Sequence, residues 1–195
     1  PALGPGDTHF AQGLATLARV YAEQRRYAEA EPLYRRSLAI REQALGSEHP
    51  DVAVNLNALG LLYEGQSRHA EAEPLFRRSL AIAEKALGPE HPDVGMSLHN
   101  LAALYQSQDR YAEAEQLYRR ALAIRERTLG PQHRLVASAL YGLARVQLAV
   151  GRDAEAAPSL VRALRVRERA LGPEHPDVAS ILETLGTLEY RRDRT

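Results

Sequence analysis

The chain has 195 residues, no cysteine, and 25 acidic residues against 25 lysines and arginines. This length suffices for a sizeable hydrophobic core, and the lack of cysteine excludes disulfides, thiolate zinc sites and cysteine nucleophiles. The balanced charge creates no field that would attract nucleic acid or an anionic membrane, and no apolar run approaches the ~20 residues of a membrane span. We therefore predict a soluble, cytoplasmic protein without nucleic-acid or membrane partners.

The sequence repeats itself at an interval of 42 residues, which is the step from Asp51 to Asp93. A fixed interval of ~20–50 residues indicates a solenoid of stacked structural units. We interpret the whole chain, 1–195, as a single domain of such repeats. Its segments are a tail of a preceding repeat at 1–8, full copies at 9–50, 51–92, 93–134 and 135–176, and a partial copy at 177–195. We therefore expect the chain to be part of a longer array.

Each copy carries two apolar stripes that turn-forming residues separate. In the second copy, Leu56, Leu59 and Tyr63 recur at the three- and four-residue spacing of one helical face, and Gly65–His69 ends that pattern. Because a second stripe follows, each copy predicts a helical hairpin. One hairpin cannot bury both of its faces, which explains why the unit is repeated.

Prolines and charged pairs refine the second helix of each hairpin. Because proline lacks an N–H group, it is tolerated near the first turn of a helix. The prolines predict helix starts near Ala28 from Pro32, near Ala70 from Pro74 and near Ala154 from Pro158. Glutamate and arginine also recur four residues apart, which is typical of solvated helix surface. These pairs are Glu31/Arg35, Glu73/Arg77 and Glu115/Arg119.

The apolar pattern resembles that of tetratricopeptide repeats. In the second copy the matching residues are Leu56, Leu59, Gly60, Tyr63, Ala72 and Phe76. The other full copies keep most of these positions, but the fourth has Gln147 in place of the tyrosine. The 42-residue interval and the connection LGPEHPDV at Leu87–Val94 resemble the repeats of kinesin light chains and their prokaryotic relatives. The resemblance implies an all-α fold, a right-handed solenoid of about four and a half antiparallel helix hairpins.

The connection LGPEHPDV occurs again at Leu171–Val178, and LGSEHPDV stands at Leu45–Val52. Its glycine fits a left-handed helix end, its His-Pro step is biased away from helix, and its aspartate is suited to cap the next helix. We assign no structural role to the histidine. Because successive histidines are one repeat apart, we predict no shared metal ion. The third connection, Gly130–Val136, has arginine and leucine for proline and aspartate, so we expect a looser or differently angled junction.

Motifs of enzymes are missing from the sequence. It contains no Gly-rich phosphate loop, no HExxH, no GxSxG and no nucleophile beside a general base. Arginine pairs recur on the second helices, but acidic residues interleave them, which favours a solvated face over a nucleic-acid surface. We therefore predict no enzymatic activity, no cofactor and no metal.

The inner groove of the solenoid, which the first helices line in this family, is the remaining candidate for a site. Positions that differ between copies are free to specialise, and mixed polar and apolar side chains suit recognition of an extended peptide. The predicted peptide-binding residues are Arg19, Asn57, Leu61, Met96, His99, Gln106, Tyr141 and Arg145. The same residues would also suit a spacer whose inner face meets only water.

Three functions remain open at this point. The first is a non-enzymatic scaffold that binds a peptide or protein partner in the groove. The second is a regulatory or sensor arm of a larger protein whose effector domain lies outside this segment. The third is self-association, because we expect an exposed apolar face on the terminal helix. That face comprises Val178, Ile181, Leu182 and Leu185.

Overall fold

The computed structural model describes residues 5–192, and it describes side chains from residue 8 to residue 191. The helices are α1 (Pro5–Glu23), α2 (Tyr27–Leu45), α3 (Pro50–Glu64), α4 (His69–Leu87), α5 (Pro92–Ser107), α6 (Tyr111–Leu129), α7 (Arg134–Ala149), α8 (Asp153–Leu171) and α9 (Pro176–Arg192). Between residues 5 and 192 there is no strand. The predicted all-α fold of successive helix hairpins is therefore confirmed.

The helix boundaries follow the repeat with one exception. The helices α2, α4 and α8 begin one residue before their predicted starts. The exception is α1, which begins at Pro5 and so includes the second half of the predicted tail at 1–8, whereas residues 1–4 lie outside the described residues. Residues 6–8 read Gly-Asp-Thr where the second copy ends in Glu-His-Pro. The His-Pro dipeptide, whose proline biases the preceding residue away from helix, is therefore missing at this position.

Two compact units make up the chain, and they divide after Leu104. In the first unit, α1 packs on α2, α3 packs on α4, and α2 contacts α3. In the second unit, α7 packs on both α6 and α8, and α8 contacts α9. Each unit therefore buries its apolar faces by stacking successive hairpins, as the repeat requires.

Small residues let the paired helices approach closely. In the first unit, a Cβ atom added to Gly60 would lie 2.7 Å from the Phe76 ring, and Ala72 is completely buried. In the second unit, a Cβ atom on Gly142 would lie 2.5 Å from the Tyr118 ring. A side chain at either glycine would displace a buried aromatic ring, and at Gly60 this explains why the tetratricopeptide pattern keeps a small residue.

The apolar face of α9 is buried to a greater extent than the sequence predicts. Val178 and Ile181 have no exposed surface, because α8 covers this side of α9 and Ile181 belongs to the core of the second unit. Leu185 packs against the same core and is half-buried, whereas Leu182 is 48% exposed. The prediction of an exposed terminal face is therefore wrong for Val178 and Ile181.

Candidate functional site

In the repeated connection between copies, the histidine caps the helix that follows. His49 Nδ1 accepts the backbone N–H of Asp51 at 3.1 Å, two residues further on. His91, His133 and His175 accept the equivalent N–H groups at 3.1–3.2 Å. The prediction that aspartate caps these helices and that histidine has no structural role is therefore wrong. The imidazole satisfies an N–H group of the first helical turn, as capping residues do.

The third connection has the same geometry as the first, although its sequence differs. His133 has φ −76° and ψ 142°, the same angles as His49. Gly130 has φ 84° and ψ 154°, close to the 88° and 153° of Gly46. At both residues the backbone follows the path of the first connection, so these angles do not bear out the expected looser or differently angled junction. Within the described residues, no group of three His, Asp or Glu side chains is arranged to hold a metal ion.

In the second and fourth copies, an arginine in the turn of the hairpin contacts the preceding copy. Arg68 lies with its guanidinium carbon 4.1 Å from the Tyr63 ring centroid, and its Nη1 donates to Glu31 at 2.7 Å. Glu31 also binds Arg35 and accepts the hydroxyl of Tyr63 at 2.9 Å. In the second unit, Arg152 makes the equivalent ion pair with Glu115, which also binds Arg119. The predicted pairs of glutamate and arginine do form, but Glu31 and Glu115 bind the next copy as well and are not simple solvated surface.

These contacts favour ionised carboxylates. Burial alone would raise the pKa of Glu31, but hydrogen bonds from Arg68, Tyr63 and Arg35 together hold that pKa below its usual value. The hydrogen bond from Arg152 is the main reason that the pKa of Glu115 is also lowered. The second helices therefore use their charged groups to bind one repeat to the next.

The predicted binding residues lie on the first helices, and within the first unit they share one helix face, which we call the first-helix strip. In the first unit it comprises Arg19 of α1, Val54, Asn57 and Leu61 of α3, and Met96 and His99 of α5. Val54 is 45% exposed and Leu61 is 43% exposed, whereas Met96 and His99 are half-buried. Arg19 is exposed and forms an ion pair with Glu23 at 2.6 Å. The strip therefore offers apolar and charged side chains to solvent.

Asn57 is not free on this strip. It is only 5% exposed, and its Oδ1 accepts the side-chain amide of Asn100 at 2.9 Å. This bond joins α3 to the next first helix, α5, over a separation of 43 residues. Asn57 therefore contributes to repeat stacking, and this bond orients its amide.

The second unit carries the remaining predicted residues. Tyr141 of α7 is half-buried, and its hydroxyl lies 3.2 Å from Thr184 Oγ1 of α9, again 43 residues further on. Arg145 is exposed, and its guanidinium carbon lies 5.9 Å from the Tyr141 ring centroid. Gln106 accepts the hydroxyl of Tyr118 at 3.0 Å. Of these three side chains, Arg145 is the one presented most fully to solvent.

Three arginines near the end of the second helices, of which Arg41 and Arg125 are buried, did not appear among the predicted site residues. Arg41 is 4% exposed, and its Nη1 donates to the carbonyl of Asp51 at 2.9 Å. Arg125 donates in the same way to the carbonyl of Leu135 at 2.9 Å, and burial lowers its pKa to about 10. Arg167 contacts Ser138 Oγ at 3.1 Å and pairs with the carboxylate of Asp177. Their recurrence at one position of the repeat was the sequence signal that would have identified them.

A family model of the tetratricopeptide repeat matches residues 9–85, 66–127 and 93–169. No curated protein matches the chain. None of the described helices is both long enough and apolar enough to cross a membrane.

Solved structures show the same fold. BtubC (BKLC) from P. vanneervenii is 24% identical with a TM-score of 0.82, covering 93% of this chain and 72% of that one. A Podosopora anserina putative kinesin light chain with nearly identical TPR-like repeats is 25% identical with a TM-score of 0.77, over 99% of this chain and 100% of that one. Aspartyl phosphate phosphatase F from Bacillus subtilis is 14% identical, with a TM-score of 0.73 over 95% of this chain and 52% of that one.

These matches agree with the helix hairpins and with the 42-residue interval. The predicted resemblance to the repeats of kinesin light chains is confirmed by the similar structure of a putative kinesin light chain. Most of the sequence, from residue 9 to residue 169, lies within the matched segments. The chain belongs to the tetratricopeptide repeat family.

Proposed function

We propose that the chain is a non-enzymatic interaction module that binds an extended segment of a protein partner along the first-helix strip. The observation that carries this proposal is the exposure of Val54 and Leu61. They stand seven residues apart on α3, and therefore on the same helical face, while the residues of the tetratricopeptide pattern on that helix are buried. Exposed apolar side chains beside ordered polar groups are typical of peptide-binding surfaces.

The side chains around these two residues support an extended peptide as the occupant. Asn57 lies between them in sequence, and its hydrogen bond to Asn100 keeps its amide in place. Arg19, Met96 and His99 add one cation and two half-buried side chains to the strip of the first unit. Binding to side chains that are already ordered costs less conformational entropy, which favours a peptide that adapts to the strip.

Matched substitutions test the proposal. Peptides are selected from a random library on the wild-type chain, and their affinity is measured by fluorescence anisotropy. We expect Leu61→Asp to weaken the selected peptides by about tenfold or more, because an aspartate removes apolar contact and demands hydration. The control is Val161→Asp, which places the same charge on an exposed valine of a second helix, α8, and should leave affinity unchanged.

The two variants also define the outcomes that contradict the proposal. Equal affinity of the peptides for wild-type chain and Leu61→Asp would show that they bind elsewhere. A loss in Val161→Asp without a loss in Leu61→Asp would move the site to the second helices. Circular dichroism of both variants separates lost binding from lost folding.

A further inference from the structure

One side of α1 presents apolar residues to solvent, and we call it the exposed α1 face. It comprises Phe10, Gly13, Leu17 and Val20, which recur at the three- and four-residue spacing of one helical face. The side chains of its three apolar residues are 38–49% exposed. A Cβ atom added to Gly13 would meet no atom within 4 Å, so open space lies beside the middle of this face.

The same face is buried on α3, where α2 covers it. The equivalent residues lie 42 positions further on and are at most 3% exposed; they are Val52, Asn55, Leu59 and Leu62. Asn55 Oδ1 lies 3.0 Å from Ser37 Oγ, and its amide donates to the carbonyl of Tyr34 at 2.9 Å, both in α2. In the second unit, α6 contacts α7 and the equivalent face of α7 is likewise buried. Inside the chain, therefore, a second helix covers this face.

A cationic group beside the exposed α1 face indicates the same occupant. Arg26 lies over the Tyr21 ring at 4.3 Å, as Arg68 lies over the Tyr63 ring at 4.1 Å. Both arginines bind a glutamate three residues further on through Nε and Nη2, and both place Nη1 3.4 Å from a turn glutamine. Nη1 of Arg68 also donates to Glu31 of the preceding second helix at 2.7 Å. A glutamate on a docked helix would give Arg26 the same contact.

We propose that the exposed α1 face binds a helix of a protein partner, and that this helix has the surface chemistry of α2. Its apolar residues pack on the face, as Leu38 of α2 packs against the core cluster that contains Val52. Its glutamate binds Nη1 of Arg26 and the hydroxyl of Tyr21, as Glu31 binds the equivalent groups of the second copy. An amphipathic helix that lays its apolar side on an apolar surface is a common mode of partner recognition.

The exposed α1 face is separate from the first-helix strip. Arg19, the residue of that strip on α1, follows Leu17 by two positions and therefore lies on the opposite side of the helix. Binding of an extended peptide to the strip and binding of a helix to this face can therefore fail independently.

A matched pair of valine substitutions tests the face. The probe is a labelled peptide with the sequence of α2, residues 27–45, and fluorescence anisotropy measures its affinity for the full chain. We expect Val20→Asp to weaken binding by about tenfold or more, because the aspartate would have to lose its hydration. The control is Val161→Asp on α8, which has the same exposure, 39% against 38%, and should leave affinity unchanged. Circular dichroism of both variants checks that they fold.

A double-mutant cycle tests the glutamate. Glu31→Gln in the peptide removes its carboxylate, and Arg26→Gln in the chain removes the cation. We expect each change alone to weaken binding by about threefold, and both together to weaken it no further, because they remove the same contact. Arg25→Gln removes the neighbouring exposed cation and should leave affinity unchanged.

Cross-linking locates the peptide, because the chain has no cysteine of its own. Gly13→Cys places a thiol at the position equivalent to Asn55, which contacts Ser37 of α2. A peptide with an activated disulfide at position 37 should therefore cross-link to Gly13→Cys and not to Arg19→Cys, on the opposite side of α1. Mass spectrometry measures both yields.

The other outcomes overturn the proposal. These are no binding of the α2 peptide, equal affinity for Val20→Asp and wild type, additive losses in the cycle, or cross-linking at position 19 in preference to position 13. Light scattering without peptide gives a further test. Self-association that Val20→Asp abolishes would assign the face to a second copy of the chain and not to a partner protein.

Discussion

Two kinds of turn connect the helices, and they hold the chain by different means. The loops between copies use local contacts, a glycine with positive φ and a histidine that caps the next helix. The turns within hairpins place a different residue type in the left-handed region in each copy. These residues are Arg25, Ser67, Asp109 and Gly151. The arginine that follows each of them makes no capping hydrogen bond in its own helix.

The difference lies in what determines each conformation. In the loops, glycine has φ of 84–88° and ψ of 153–157°, a region that is essentially restricted to glycine. In the turns, arginine, serine and aspartate adopt positive φ, so glycine is not required there. In the second and fourth copies the arginine that follows contacts the preceding copy, as Arg68 does with Glu31. Substitutions that alter the preferred backbone conformation should therefore destabilise the protein most in the loops. Substitutions that remove a charge should act in the turns.

Replacing the two kinds of glycine gives the largest expected effect. Gly172 lies in a loop and Gly151 in a turn, both in the second unit, and a Cβ atom at either would meet no atom within 4 Å. Neither substitution introduces a steric clash, so the backbone conformation at each glycine determines how much stability is lost. We expect Gly172→Ala to lower the free energy of unfolding by about 1–3 kcal/mol. Gly151→Ala should cost about 1 kcal/mol, since other residues adopt this conformation in the other copies.

Urea unfolding followed by circular dichroism measures both free energies. The comparison of loops and turns predicts a larger loss for Gly172→Ala under the same conditions. If Gly151→Ala proved the more damaging change, the left-handed turn and not the loop would depend on glycine.

Removing a capping histidine should have a moderate effect. His133 is the best position, because its loop has neither the proline nor the aspartate of the other connections. We expect His133→Ala to lower the free energy of unfolding by about 0.5–2 kcal/mol, because the N–H of Leu135 loses its acceptor. His133→Asn keeps an acceptor and should retain most of the stability. Equal destabilisation by alanine and asparagine would contradict a capping role.

The sequence predicted the hairpins well because their determinants lie within one copy. Apolar spacing, the small residues of the tetratricopeptide pattern and the helix-starting prolines are all local, and Gly60 against Phe76 follows directly from them. The predicted site was less complete. Asn57 and Tyr141 each bind a residue 43 positions further on, and such a contact depends on how one copy stacks on the next.

The histidine cap shows a different reason for an incorrect prediction. Asp51 follows His49 by two residues and is a preferred capping residue, so the usual preferences favour the aspartate. Proline at the first helical position places Asp51 inside the helix and leaves His49 at the cap. The correct assignment therefore depended on the exact residue at which the helix begins, which sequence patterns determine least accurately.

Charge in the turns should give the smallest of the three effects, and pH reveals it. Glu115 is 14% exposed and pairs with the turn residue Arg152, which lowers the pKa of the carboxyl in the folded state. A lowered folded-state pKa stabilises the fold above the unfolded-state value of about 4.5, and this contribution disappears as the pH falls through the folded-state value.

We expect Glu115→Gln to cost up to about 1 kcal/mol of folding stability at neutral pH, and to lose less stability than wild type on acidification. Glu183→Gln, at an exposed position of α9, is the control and should follow the wild-type pH dependence. Parallel pH profiles for Glu115→Gln and wild type would show that Arg152 does not stabilise the stacked repeats through this carboxylate. Charge would then not distinguish the turns from the loops.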